Sequence, residues 1–154
     1  MKMKKLSLIL IILTTFVLFG CSKKVALTAN EFKEKVEKEE YTYVEVTDQF
    51  KEYEYVKGAY LGVSHDVNYQ IEFYTFDDDK GAKEFYNLNK EIFESSADNN
   101  HLYTNVDSKN YSKYTLTTED KYKSITRIDN TVMYSDTLKT YKKDVEKLIK
   151  KLGY

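Results

Sequence analysis

The sequence predicts an α+β fold: an antiparallel sheet of about six to seven short strands with three helices packed mainly on one face. Three observations predict it. Apolar residues recur at helical spacing in three separated places, around Phe32 and Val36, from Ala82 to Phe93, and from Leu138 to Leu152. Between them lie short stretches rich in β-branched and aromatic residues, several alternating with a period of two. The later stretches are separated only by short turns, which makes them an antiparallel meander.

The first helix is expected over about 29–40. Thr28 with Glu31 fits a capping box, and Leu27 with Phe32 fits the hydrophobic staple that accompanies it. Tyr41 to Thr47 reads as a strand, and Gly58 and Gly62 are expected to break up the next segment. Val67, Tyr69, Ile71 and Phe73 alternate with polar residues, predicting a strand with one wet face. The aspartates from Asp77 to Asp79 cap a helix over about 79–95.

Four strands follow, over about 102–106, 111–118, 121–129 and 131–136. Asp129-Asn130 suits a two-residue hairpin loop, since both residue types tolerate positive φ. A last helix carries Leu138, Tyr141, Val145, Leu148, Ile149 and Leu152, with Gly153 placed as its C-cap and Tyr154 able to pack back. Strands followed by a helix occur twice, from 41 to 95 and from 102 to 152, but the residues of the two halves match poorly.

A chain of 154 residues is sized for one domain with one core, and it contains no proline or low-complexity linker to divide it. Its formal net charge of -1 offers no electrostatic footprint for a polyanion, so nucleic acid is not expected as a partner.

The N-terminus has its own logic. Lys2, Lys4 and Lys5 precede the uncharged run from Leu6 to Phe19, the order of an export signal. A helix of that run would measure about 21 Å, short of the roughly 30 Å hydrocarbon core. Leu18-Phe19-Gly20-Cys21 then resembles the lipobox of bacterial lipoprotein precursors, with an aliphatic residue three before the cysteine and a small one directly before it. The resemblance implies cleavage between Gly20 and Cys21 and a diacylglycerol, of the palmitate class, on the Cys21 sulfur.

Residues 1–20 are therefore expected to be a lipoprotein signal peptide, 21–26 a short lipidated tether, and 27–154 the domain. The mature chain would carry 21 basic and 25 acidic residues, a charge of -4. It would be held at the extracytoplasmic face of the cell membrane. Two acyl chains hold far more firmly than one, at about 0.8 kcal/mol per buried methylene. With Cys21 acylated, cysteine catalysis and disulfides are excluded.

Catalytic patterns are weak. Gly62-Val63-Ser64-His65-Asp66 juxtaposes three hydrolase residue types, but a nucleophile elbow needs a glycine where Asp66 stands. Ser64 and His65 would also face opposite ways in a strand. His65 and His101 are the only histidines, so no metal site and no cofactor is expected. Asp77 fails the EF-hand register, with Ala82 at position six and Leu88 at position twelve.

Fifteen tyrosines are a surplus that suits sheet and core filling and also binding surfaces. Arg127, the lone arginine, and Asn130 sit at the predicted hairpin and are the candidate ligand-binding residues, since a guanidinium fork can grip a carboxylate.

LTANEFKEK, YQIEFYTFDDDKGAKEFY, RIDNTVMY and KKLGY together resemble small lipoproteins of low-GC Gram-positive bacteria that carry a domain of unknown function. That resemblance brings no catalytic residues. The expected function is a non-enzymatic binding domain at the cell envelope, whose partners are the membrane, through the lipid anchor, and an envelope protein or polymer. The alternatives are an envelope hydrolase with carboxylates dispersed in sequence, and a folding or assembly accessory.

Overall fold

A computed structural model of the protein describes residues 23–154. Helix α1 (Ala29–Lys38) leads into β1 (Thr42–Glu45), a 3-10 turn over Thr47–Phe50, β2 (Val56–Val63) and β3 (Gln70–Phe76). Helix α2 (Asp79–Ser95) is followed by β4 (Leu102–Asp107), β5 (Tyr111–Thr117), β6 (Lys121–Ile128) and β7 (Thr131–Leu138). After a 3-10 turn over Lys139–Tyr141, α3 (Lys142–Leu152) closes the fold. The strands form one sheet in the order β1-β2-β3-β7-β6-β5-β4, every neighbouring pair antiparallel.

The α+β class, the antiparallel sheet and the three helices are as the sequence predicts. Two of the helices, α1 and α3, share one face, where Phe32, Val36, Val145, Leu148 and Leu152 pack on Ile71, Phe73, Ile128 and Met133. Helix α2 covers the other, burying Ala82, Tyr86 and Phe93 against Tyr74, Phe76, Leu116, Ile125 and Val132. Each large side chain so buried contributes about 1.5–3 kcal/mol.

Coverage of both faces explains how β3 differs from its expected form. Adjacent residues Phe73 and Tyr74 are both buried, one under each layer, so neither face is wet. The strand also begins three residues later than the alternation suggests. Val67 stands in the preceding turn at φ 60° and is 76% exposed. Opposite placement of α2 and α3 also removes any two-fold relation between the halves, because a rotation exchanging antiparallel β3 and β7 would keep both helices on one face.

Local signals behave unevenly. Thr28 and Glu31 form the capping box, Thr28 N–H donating to Glu31 Oε2 at 2.7 Å and Glu31 N–H to Thr28 Oγ1 at 3.2 Å. Asp78 caps α2 by accepting from Gly81 N–H at 2.8 Å. Asp129 takes φ 46° in the β6–β7 turn, and Gly153 caps α3 at φ 93°. Gly62, expected to interrupt a strand, instead lies inside β2, where a Cβ would sit 3.1 Å from Val36 Cγ1. It is small so that α1 can approach the sheet. Helix α3 starts after Leu138 and Tyr141, and Leu138 is a half-exposed strand end rather than a helical core residue.

The domain has two ends. The β4–β5 turn, the β6–β7 turn, the start of α1 and Gly153 lie at one. The end of α1, the β2–β3 turn, the β5–β6 turn and the start of α3 lie at the other.

Candidate functional site

Cys21 and Gly20, the expected lipid-attachment and cleavage residues, lie outside the described residues. Among the described residues no helix is long and apolar enough to cross a membrane, and no group of three metal-ligating side chains gathers.

The Ser64-His65-Asp66 cluster is a turn-building unit. Ser64 Oγ donates to Asp66 Oδ1 at 2.8 Å and accepts from the Asn68 and Tyr69 N–H groups at 3.1 and 3.2 Å. Its proton is committed to a carboxylate, not to an imidazole. Ser64 is buried and His65 exposed, both lie past the end of β2, and Ser64 Oγ makes no hydrogen bond to the imidazole.

Arg127 and Asn130 turn their side chains into the domain, where the two Arg127 Nη groups and Asn130 Nδ2 find acceptors while Arg127 Nε is buried without a partner. Arg127 is 2% exposed; Nη1 donates to Asp129 O at 3.3 Å, and Nη2 to Ser112 Oγ at 3.1 Å and to the Ser108 and Lys109 carbonyls at 3.5 Å. The guanidinium thus ties the β4–β5 turn to the β6–β7 turn. Asn130 Nδ2 donates to Phe76 O at 2.9 Å and prolongs the pairing of β3 with β7. The planar fork recognises carbonyls of its own chain rather than an external carboxylate.

A hollow of about 390 Å³ opens at the far end, between the end of α1, the β2–β3 turn and the start of α3. Its aromatic wall is Tyr41, Tyr69 and Tyr141. The Tyr41 and Tyr69 hydroxyls are hydrogen-bonded at 2.6 Å, and the Tyr69 ring stacks on Tyr141 with centroids 5.0 Å apart. Burial pushes the Tyr41 and Tyr69 phenols above their ordinary value.

Four carboxylates, Glu39, Glu40, Asp66 and Asp144, share this lining with no lysine or arginine. Glu39 is paired with Lys151, which lies in a smaller adjoining hollow of about 160 Å³. Glu40 leaves α1 at φ 65°, which turns the chain from the helix into β1. Hydrogen bonds from Ser64 and Asn68 hold the Asp66 carboxyl below its ordinary range. A general acid needs the reverse, a carboxyl raised toward neutrality.

Sequence reasoning did not assemble this hollow. Tyr41, Tyr69 and the Tyr141–Asp144 pair come from three separate segments, and each tyrosine alone reads as filler. Most of the fifteen are filler: only Tyr53, Tyr55 and Tyr103 are exposed. Comparison of the chain with protein-family models, with curated proteins and with solved structures returns no match, so the site stands on its own geometry.

Proposed function

We propose that the protein is a lipid-anchored, extracytoplasmic, non-enzymatic domain that binds a cationic group of an envelope protein or polymer in the hollow of Tyr41, Tyr69 and Tyr141. The anchor is supported by the basic, apolar and Leu18-Phe19-Gly20-Cys21 succession of the N-terminus. The observation that carries the binding reading is the meeting of an aromatic wall with four carboxylates in one concave surface. Tyrosine faces and carboxylates both attract cations.

Magnitudes set the kind of ligand. An exposed cation–π contact contributes about 0.5–1 kcal/mol and an exposed ion pair less than about 1 kcal/mol. A lone amine would therefore be held only weakly. The ligand is a macromolecule whose lysine or arginine, or polymer amine, enters the hollow while other contacts add to it.

Capture from solubilised envelope membranes tests this. The full lipidated protein is expected to enrich a partner that the Glu40→Gln/Asp144→Asn variant enriches about tenfold less, with capture weakened by salt. Equal capture by both proteins rejects the hollow, and cleavage of an envelope polymer by the purified protein rejects the non-enzymatic reading.

A second reading, an assembly accessory, is favoured by the β4 edge. Ser108 N–H donates to Tyr111 O, which fixes the alternation so that Tyr103, Asn105 and Asp107 turn their backbone groups away from β5. All six residues of β4 are exposed, and they include no lysine, proline or bulge to protect the edge. A client strand added there would give capture that survives the Glu40→Gln/Asp144→Asn substitutions.

A further inference from the structure

The described part of the expected tether, from Lys23, is docked on the domain. Lys23 pairs with Asp129 at 3.8 Å. The Lys24 carbonyl accepts from Asn110 Nδ2 at 2.9 Å, its ammonium donates to Gly153 O at 3.3 Å, and that ammonium lies 5.4 Å from the centroid of the Tyr111 ring. Leu27 N–H donates to the Tyr154 hydroxyl at 3.3 Å, and Leu27 is buried. The strap is thus fixed to the β4–β5 turn, the β6–β7 turn and the C-terminus, all at one end of the sheet.

We infer that this strap sets the orientation of the domain on the bilayer: the end bearing Ser108–Asn110, Asp129 and Gly153 rests on the lipid surface, and the tyrosine hollow faces away from it. The inference rests on the lipid anchor at Cys21 proposed above. Cys21 precedes Lys23 by two residues, and two residues of chain reach at most about 7 Å. A domain held at Lys23 therefore cannot lift its near end off the headgroups.

Strand β7 measures the separation. It starts beside the Asp129-Asn130 turn and runs to Leu138 at the far end, seven steps of about 3.4 Å, or roughly 24 Å. Helices α1 and α3 span the same two ends. Tyr41, Asp66, Tyr69 and Asp144 are thereby presented to the envelope, out of the headgroup layer.

Charge does not decide this orientation. Lys23, Lys24 and Lys109 share the near end with Asp129 and with Asp77 to Asp79, which follow β3. Covalent attachment decides it. One consequence concerns the β4 edge: two copies paired antiparallel through β4 would carry their straps at opposite ends, so two copies in one leaflet cannot pair in that way.

The diacylated protein, purified from cells and reconstituted in phosphatidylglycerol–phosphatidylcholine vesicles with a headgroup-bound contact quencher, provides the test. A fluorophore is placed at Lys109→Cys, at the near end, or at Glu119→Cys, in the far β5–β6 turn. Quenching at position 109 is expected to exceed that at 119 by about threefold or more. In the Lys24→Ala/Asn110→Ala/Asp129→Asn/Tyr154→Phe background, with circular dichroism showing a folded domain, the strap's polar ties are removed and the contrast is expected to shrink. Equal or reversed quenching in the docked protein, or a contrast that survives strap release, overturns the orientation while leaving the anchor intact. Failure of the protein to bind vesicles, with an unmodified Cys21 by mass, overturns the anchor and the orientation together.

Discussion

The Tyr154 hydroxyl lies 2.6 Å from Thr131 Oγ1 and accepts the Leu27 N–H, so the last residue of the chain joins the strap to the first residue of β7. Tyr154 is 5% exposed, and its ring meets Phe73 edge-on with centroids 6.1 Å apart. Tyr154→Phe keeps the ring and removes only the hydroxyl, leaving a buried amide without an acceptor. The expected cost is about 1–2 kcal/mol, read as a lower urea midpoint with an unchanged slope.

Arg127 is expected to act on stability alone. Arg127→Ala strands the Ser108, Lys109 and Asp129 carbonyls and empties a buried site, a loss on the order of 2–4 kcal/mol. Arg127→Lys recovers only part, because one ammonium cannot span both turns. Thermal unfolding should separate the three proteins, while capture of the envelope partner by folded Arg127→Lys protein should match the parent.

Gly62 is expected to tolerate nothing larger without moving α1. A Cβ would lie 3.1 Å from Val36 Cγ1 and 3.7 Å from Phe32 Cζ, both in the fully buried stripe of α1. Gly62→Ala should cost about 1–2 kcal/mol and Gly62→Val more, measured by chemical denaturation.

Much of the fold was legible because its signals are local. The Thr28–Glu31 box, the Asp78 cap and the Gly153 stop each need only a few neighbours, and the strands after α2 follow from their turns. What could not be read depends on the third dimension. Adjacent Phe73 and Tyr74 look like a broken alternation until α2 is placed on the second face, and Gly62 looks like a breaker until α1 is placed on the first. The hollow was hidden for the same reason: Tyr41, Tyr69 and Asp144 meet only after α1, the β2–β3 turn and α3 converge. Arg127 was singled out by rarity, which marks chemistry but does not distinguish a carboxylate outside from carbonyls inside.

Alkaline pH should unfold the domain through its buried phenols. Burial pushes Tyr154 up to about 12 from its ordinary 10.0, and pushes Tyr74, Tyr86, Tyr122 and Tyr134 further. A raised phenol stabilises the folded state fully below the unfolded pKa, and that contribution is lost as pH rises through the folded one. Stability should therefore decline from about pH 10 upward. Tyrosinate absorbance of the buried set is expected to appear together with unfolding. Ionisation of Tyr74, Tyr86, Tyr122, Tyr134 and Tyr154 near pH 10 in a protein that stays folded would contradict their burial.

The intact mass of the protein extracted from its own cells bears on the anchor, the compartment and the orientation at once. The expected species begins at Cys21, lacks residues 1–20 and carries a diacylglycerol on the cysteine sulfur. A chain with the leader still joined, or with an unmodified Cys21, would contradict the proposed placement at the extracytoplasmic face of the cell membrane, on which the proposed binding role depends.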